Sequence, residues 1–162
     1  QGDLGTFNSK FQATMYSKYD FTDKDGNIID VLGQQNARTN IAPPVPETKL
    51  AWNTSWFRNN HSATVSLTWF SSVVRDNQIV DMYTFDGINT FTDEIDEDAI
   101  VDARYTYLFE DVFNSQVTLT AGVNNLFGYK PTLTGQIGGF ESRLINNFYR
   151  QFYVSLDITP GG

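Results

Sequence analysis

The stretch TFNSKFQATMYSKYDF, residues 6–21, alternates without interruption. Its odd positions read Phe7, Ser9, Phe11, Ala13, Met15, Ser17, Tyr19 and Phe21; its even positions read Thr6, Asn8, Lys10, Gln12, Thr14, Tyr16, Lys18 and Asp20. A period of two sends successive side chains to opposite faces of a strand, and the three-and-four spacing of a helix is absent. At ~3.3 Å per residue the stretch predicts one strand of roughly 50 Å, against ~17–20 Å in most soluble domains.

The same alternation recurs along the chain. Leu50, Trp52, Thr54 and Trp56 oppose Lys49, Ala51, Asn53 and Ser55, and after Arg58-Asn59-Asn60 the pattern restarts as Ala63, Val65, Leu67 and Trp69 against Ser62, Thr64, Ser66 and Thr68. Two such runs across so short a break predict a tight hairpin. Val101, Ala103, Tyr105, Tyr107 and Phe109 form a fourth set, Val117, Leu119, Ala121 and Val123 a fifth, and Phe148, Phe152, Val154, Leu156 and Ile158 a sixth. The predicted strands are 5–21, 47–58, 61–74, 99–109, 116–127 and 146–159, each antiparallel to its sequence neighbours. TDEIDEDAIVDA, residues 92–103, could instead open as a short helix, because acids favour a first turn.

Between the strands the connections run long, short, long, short, long. Thr22–Val45, Val74–Asp98 and Gly128–Ile145 are rich in turn and breaker residues, whereas the other two breaks are brief. In outer-membrane barrels periplasmic turns are short and extracellular loops long, so an up-and-down chain produces this rhythm. The predicted fold is all-β: an antiparallel, up-and-down transmembrane β-barrel segment with its three long loops on one side. Charge agrees, since Lys10, Lys18, Lys49, Asp102, Arg104 and Asp157 fall opposite the apolar face and Arg150 is the exception. Trp52, Trp56, Trp69, Tyr105, Tyr107 and Phe109 suit the aromatic girdles of a bilayer surface. The alternative is a soluble β-sandwich that binds carbohydrate, in which the same apolar face packs on a second sheet.

Composition removes other classes. The 162 residues contain no cysteine, one histidine and 11 Lys plus Arg against 19 Asp plus Glu, a formal charge of −8. Nucleic acid is excluded as a partner by the missing basic footprint, and thiolate zinc chemistry by the missing cysteines. No apolar run approaches the ~20 residues of a spanning helix, but a spanning strand needs only ~9–11.

VTLTAGVNNLFGYKP, residues 117–131, resembles the penultimate-strand signature of TonB-dependent outer-membrane receptors, carried here by Gly122, Asn124, Asn125, Leu126, Phe127 and Pro131. VPETKLAWNTSWF, AIVDARYTYLF and YRQFYVSLDI resemble, in order, an earlier Pro-led strand, an Asp-to-Tyr strand and the closing strand after an Arg. The resemblance implies six strands of a 22-stranded barrel around a plug, in the bacterial outer membrane, taking up a siderophore, vitamin or oligosaccharide with energy from TonB. It implies that residues 1–162 are the C-terminal part of a longer polypeptide, with the plug, the TonB-contacting segment and the signal peptide upstream. Expected partners are the bilayer, the rest of the barrel and plug, TonB through that upstream part, and a small-molecule ligand; no cofactor, metal or catalysis is expected.

With that orientation Lys49, Asp102, Asn124 and Gln151 are candidates to face ligand near the upper lumen, set against ordinary wall hydration and plug contact. The acids Asp93, Glu94, Asp96, Glu97 and Asp98 are read as a solvated loop, with weak calcium binding as the rival. Asp23-Lys24-Asp25-Gly26-Asn27-Ile28 resembles part of a calcium loop but has Phe21 at the first ligand position and Leu32 at the twelfth, so it is read as a turn. His61 is read as a hydrated turn residue.

Overall fold

A computed structural model describes residues 4–36, 42–75, 94–133, 140–144 and 149–161. Six long strands, β1 (Thr6–Met15), β4 (Thr48–Arg58), β5 (His61–Phe70), β8 (Asp98–Phe109), β9 (Ser115–Asn124) and β10 (Gln151–Pro160), form one sheet in that order. All neighbours are antiparallel, and no helix occurs among the described residues. Four short strands, β2 (Asp20–Thr22) with β3 (Ile28–Asp30) and β6 (Val73–Val74) with β7 (Glu94–Ile95), form two small sheets in the connections. Because the long strands alternate in direction, the connections 16–47, 71–97 and 125–150 share one end of the sheet, and Asn59-Asn60 and 110–114 share the other.

The register preserves the face assignment across every pairing. Phe11 opposes Trp52, Trp52 opposes Leu67, and Leu67 opposes Val101. Tyr105 then opposes Ala121, which opposes Val154. A slip of one residue anywhere would have transferred a whole strand's apolar set to the other side.

Three expectations are corrected. The first strand stops at Met15, not at residue 21: Tyr16 N still donates to Glu47 O at 2.9 Å, but at the next hydrogen-bonding position of the partner Val45 gives its carbonyl to Gly33 N and its N–H to Gln34 O. Alternation in Ser17–Phe21 therefore has no ladder to join, and Asp20–Thr22 turns instead into the β2–β3 hairpin. The 61–74 strand is cut at Ser71-Ser72, where Ser71 N donates to Thr48 O and its hydroxyl accepts from Thr48 N, leaving Val73–Val74 to pair with β7. The helix considered over 92–103 is instead the strand Glu94–Ile95 and, after Asp96-Glu97, the start of β8 at Asp98; residues 92 and 93, like 145–148 at the expected start of the last strand, lie outside the described residues.

The buried core lies at the long-connection end rather than between sheets. Val31, Ala42, Val45, Phe70, Val73 and Ile95 are buried, the last two at 1% exposure. Over the sheet itself, Phe11 is 66% and Val154 73% exposed. The second sheet that a sandwich would lay on this apolar face is not among the described residues.

Gly122 illustrates how side chains fix the register locally. It lies opposite Tyr153, whose ring occupies the space a Cβ on residue 122 would need. Gly122→Val should therefore destabilise the folded protein by about 1–3 kcal/mol, the usual cost of overpacking. Thermal melts should show part of that loss recovered when Tyr153→Ala is added, and an uncoupled pair would disprove the contact.

Candidate functional site

Two regions collect polar chemistry: the polar face of the sheet and the loop cluster at its long-connection end. The polar face gathers what alternation sent there, including Lys10, Asn53, Ser66, Asp102, Arg104 and Asp157. A depression of about 210 Å³ in it is lined by Asn53, Thr64, Ser66, Asp102, Arg104 and Tyr153. Of the four predicted ligand-facing residues, Asn124 and Gln151 are brought together as a cross-strand pair at the ends of β9 and β10. Lys49 is exposed and sits opposite Thr14 and Phe70, away from that pair. Asp102 is partly committed, because its Oδ1 accepts from Asn125 N at 2.8 Å.

That bond gives a physical account of the 122–131 motif. Asn125 has φ of 54°, a conformation asparagine tolerates better than most residues, and it ends β9. Its side chain brackets the following turn: Nδ2 donates to Tyr129 O and Oδ1 accepts from Tyr129 N, both at 2.8 Å. Gly128, at φ 69°, completes the reversal, and the Arg150 guanidinium packs over it. Leu126 N returns to Val101 O at 2.7 Å. Gly122, Asn125 and Gly128 thus do structural work; Phe127 and Asn124 are exposed.

The loops are knitted together rather than merely solvated. Gly33 N donates to Val45 O, Val74 N to Gly33 O and Gln35 N to Val74 O, joining the first long connection to the second. The third is tied in by buried polar groups. Glu141 accepts a bidentate pair from Arg143, Nε to Oε1 and a terminal nitrogen to Oε2, each 2.8 Å, and Gln35 Nε2 adds a bond to Oε2 at 3.1 Å. Arg75 donates to Leu133 O at 2.6 Å, and the Thr132 hydroxyl donates to Asp96 Oδ2 at 3.0 Å. None of Gln35, Arg75, Glu141 and Arg143 carried a sequence signal, since each lies in a stretch without periodicity.

The acidic run is split by its strands. Glu94 pairs opposite Val74, Ile95 is buried, Asp96 and Glu97 are exposed, and Asp98 is buried opposite Phe70; Asp93 lies outside the described residues. The solvated-loop expectation is thus corrected at Asp98. Among the described residues no three His, Cys, Asp or Glu side chains are arranged to hold a metal ion. The Asp23 segment is a turn: Asp23 Oδ1 accepts from the amides of Asp25 and Asn27, and those bonds, led by the Asn27 side chain, hold the Asp23 carboxyl below its ordinary range. His61 is also corrected, being the first residue of β5 on the apolar face, with rings of Tyr107 at 4.6 Å and Trp56 at 6.4 Å.

Asp98 and Glu141 are buried carboxyls of opposite character. Asp98 is 1% exposed, on the loop side of the sheet, and neither oxygen has a hydrogen-bond partner among the described residues. Tyr129 stands near it, its hydroxyl pushed up first by its own burial and then by the Asp98 charge. At Glu141 burial also acts upward, but the Arg143 and Gln35 bonds outweigh it and leave the carboxyl below its ordinary range. No family model, curated protein or solved structure matches this chain.

The Glu141 carboxyl predicts a pH effect. Glu141 contributes above its ordinary value and loses that contribution as pH falls below ~4. Proteolysis of the long loops should quicken as pH falls below ~4 in the native protein and change less over that range in Glu141→Gln. Equal slopes in the two proteins would contradict the assignment.

Proposed function

We propose that the chain forms wall strands and extracellular loops of a transmembrane β-barrel of the TonB-dependent receptor class, which imports a scarce small nutrient across the bacterial outer membrane. The observation that carries this reading is which face the loops cover. At the long-connection end the buried members, Phe70 and Asp98, belong to the polar face, while their apolar-face neighbours Trp69 and Ala99 are more exposed. Loops that fold over a lumen leave the lipid side bare; the loops of a water-soluble domain have every reason to cover the apolar side instead.

Two further features support it. The long strands have 10 to 12 residues, the length a tilted spanning strand needs. Polar atoms on the apolar face satisfy one another: Trp52 Nε1 donates to Ser9 Oγ at 2.7 Å, Ser9 Oγ lies 2.8 Å from Thr54 Oγ1, and Trp56 Nε1 donates to Leu4 O at 2.8 Å. In hydrocarbon an unpaired polar atom costs several kcal/mol, so this pairing matters there far more than in water.

Within this reading β1 and β10, each with one neighbour in the sheet, join further strands of the same wall, because an open edge in lipid leaves backbone groups unsatisfied. The depression around Asp102, Arg104 and Tyr153 faces the lumen, where it meets plug or passing ligand. The assignment to TonB-dependent receptors, and with it a siderophore, vitamin or oligosaccharide as cargo, rests on the ordered motifs of residues 45–57, 99–109, 117–131 and 149–158.

The test contrasts faces. Leu67→Arg and Leu119→Arg place charge toward lipid at about 2–4 kcal/mol each near the midplane, whereas Ser66→Arg and Thr118→Arg place it toward water. Assembly of the complete protein in outer membranes should fall for the first pair and persist for the second. Equal assembly of all four would overturn the membrane reading.

A further inference from the structure

Arg58 and His61 are Cα partners across the two-residue turn Asn59-Asn60, at the short-turn end of the sheet. By register Arg58 shares a face with Trp52, Thr54 and Trp56, and His61 with Ala63, Val65 and Leu67. Both cationic or donor side chains therefore project from the apolar face, where every other charge of the ladder has been turned away. The ion pairs among the described residues are Lys18–Asp20 and Arg143–Glu141, so the Arg58 guanidinium is committed to no carboxylate. Among the described residues Glu110 and Asp111 lie in the turn that follows β8 at the same end of the sheet.

The surroundings are an aromatic shelf. The His61 ring centroid lies 6.4 Å from Trp56, 6.0 Å from Tyr105 and 4.6 Å from Tyr107, and Tyr107 stacks edge-on to Phe109 at 4.5 Å. His61 Nδ1 is hydrogen-bonded to the Tyr105 hydroxyl, which fixes the ring and leaves Nε2 with no partner among the described residues. A planar guanidinium, an oriented imidazole nitrogen and aromatic rings at the edge of an apolar surface match a headgroup phosphate above acyl chains. A free anion would use the two donors but gain nothing from the shelf.

We propose that Arg58 and His61, with Tyr105 holding the imidazole, bind the phosphate of a phospholipid headgroup in the periplasmic leaflet. The proposal rests on the membrane reading above and adds a defined lipid site to it. Arg58 Cβ lies beside Gly5, and a long side chain there can keep its carbons on apolar surface while its head reaches the interface.

The test uses the full-length protein, delipidated in a maltoside detergent and titrated with short-chain phosphatidylglycerol under native mass spectrometry. Arg58→Gln and His61→Phe are made separately and together, so that loss of fold in the double variant leaves each contribution measurable; Arg58→Lys keeps the charge. Wild type and Arg58→Lys should bind one tight lipid, and the Arg58→Gln/His61→Phe protein should bind it at least tenfold more weakly. Diacylglycerol of the same chain length should not occupy the site, and millimolar inorganic phosphate should not displace the lipid. Equal binding by wild type and the double variant, or by both single variants, would overturn the proposal. Displacement by inorganic phosphate would also overturn it, in favour of a free-anion site. A native protein that is monodisperse in plain buffer removes the membrane reading itself, whereas a detergent-requiring protein with unaffected variants removes the lipid site alone.

Discussion

Everything in this structure depends on one constraint, that five successive antiparallel pairings keep the period-two register without a slip. Backbone hydrogen bonds supply the ladder but do not choose the register; side chains do. Phe11, Trp52, Leu67 and Val101 line up across four strands, as Tyr105, Ala121 and Val154 do across three. The resulting sheet has one nearly charge-free face and one face holding Lys10, Asp102, Arg104 and Asp157. No pairing in the loops could create that separation if the ladder lacked it.

From the two-faced sheet follows a molecule whose compact core is displaced to one end. Val73, Ile95 and the Glu141–Arg143–Gln35 group pack where the three long connections meet. Buried hydrogen-bonded charge of this kind contributes less net stability than specificity of arrangement, since removal of either partner strands the other. Asp98 stands apart from it, a buried carboxyl without a hydrogen-bond partner among the described residues, at the joint where the loops meet β8. The loop cluster therefore carries two buried acids, Glu141 with its hydrogen bonds made and Asp98 without a partner among the described residues.

Alternation made the sheet legible in advance: all six long strands, their faces, their order and the grouping of the long connections can be read from Phe7 to Ile158. It also misled, because periodicity tells which way side chains point but not whether a partner strand is there. Residues 17–21 kept the pattern and lost the ladder where Val45 turns its backbone to Gly33 and Gln34. The loop core was illegible for the converse reason: Gln35, Arg75, Glu141 and Arg143 meet through contacts up to 108 residues apart in sequence, with no local spacing to announce them. Of the candidate site, Asn124 with Gln151 and the polar placing of Asp102 were readable. Arg58 was not, because it ends its strand at a turn, where only the register reveals that it shares a face with Trp56.

On the proposed reading the apolar face meets lipid, and the most direct measurement is a spin-label scan of residues 62–69 in the assembled protein, one cysteine at a time in a chain that has none of its own. Collision with dissolved oxygen reports hydrocarbon, and collision with a water-soluble nickel chelate reports aqueous surroundings. The account predicts oxygen maxima at Ala63, Val65, Leu67 and Trp69, with minima at Ser62, Thr64, Ser66 and Thr68. Oxygen accessibility without that alternation, or nickel-chelate maxima at Val65 and Leu67, would contradict it.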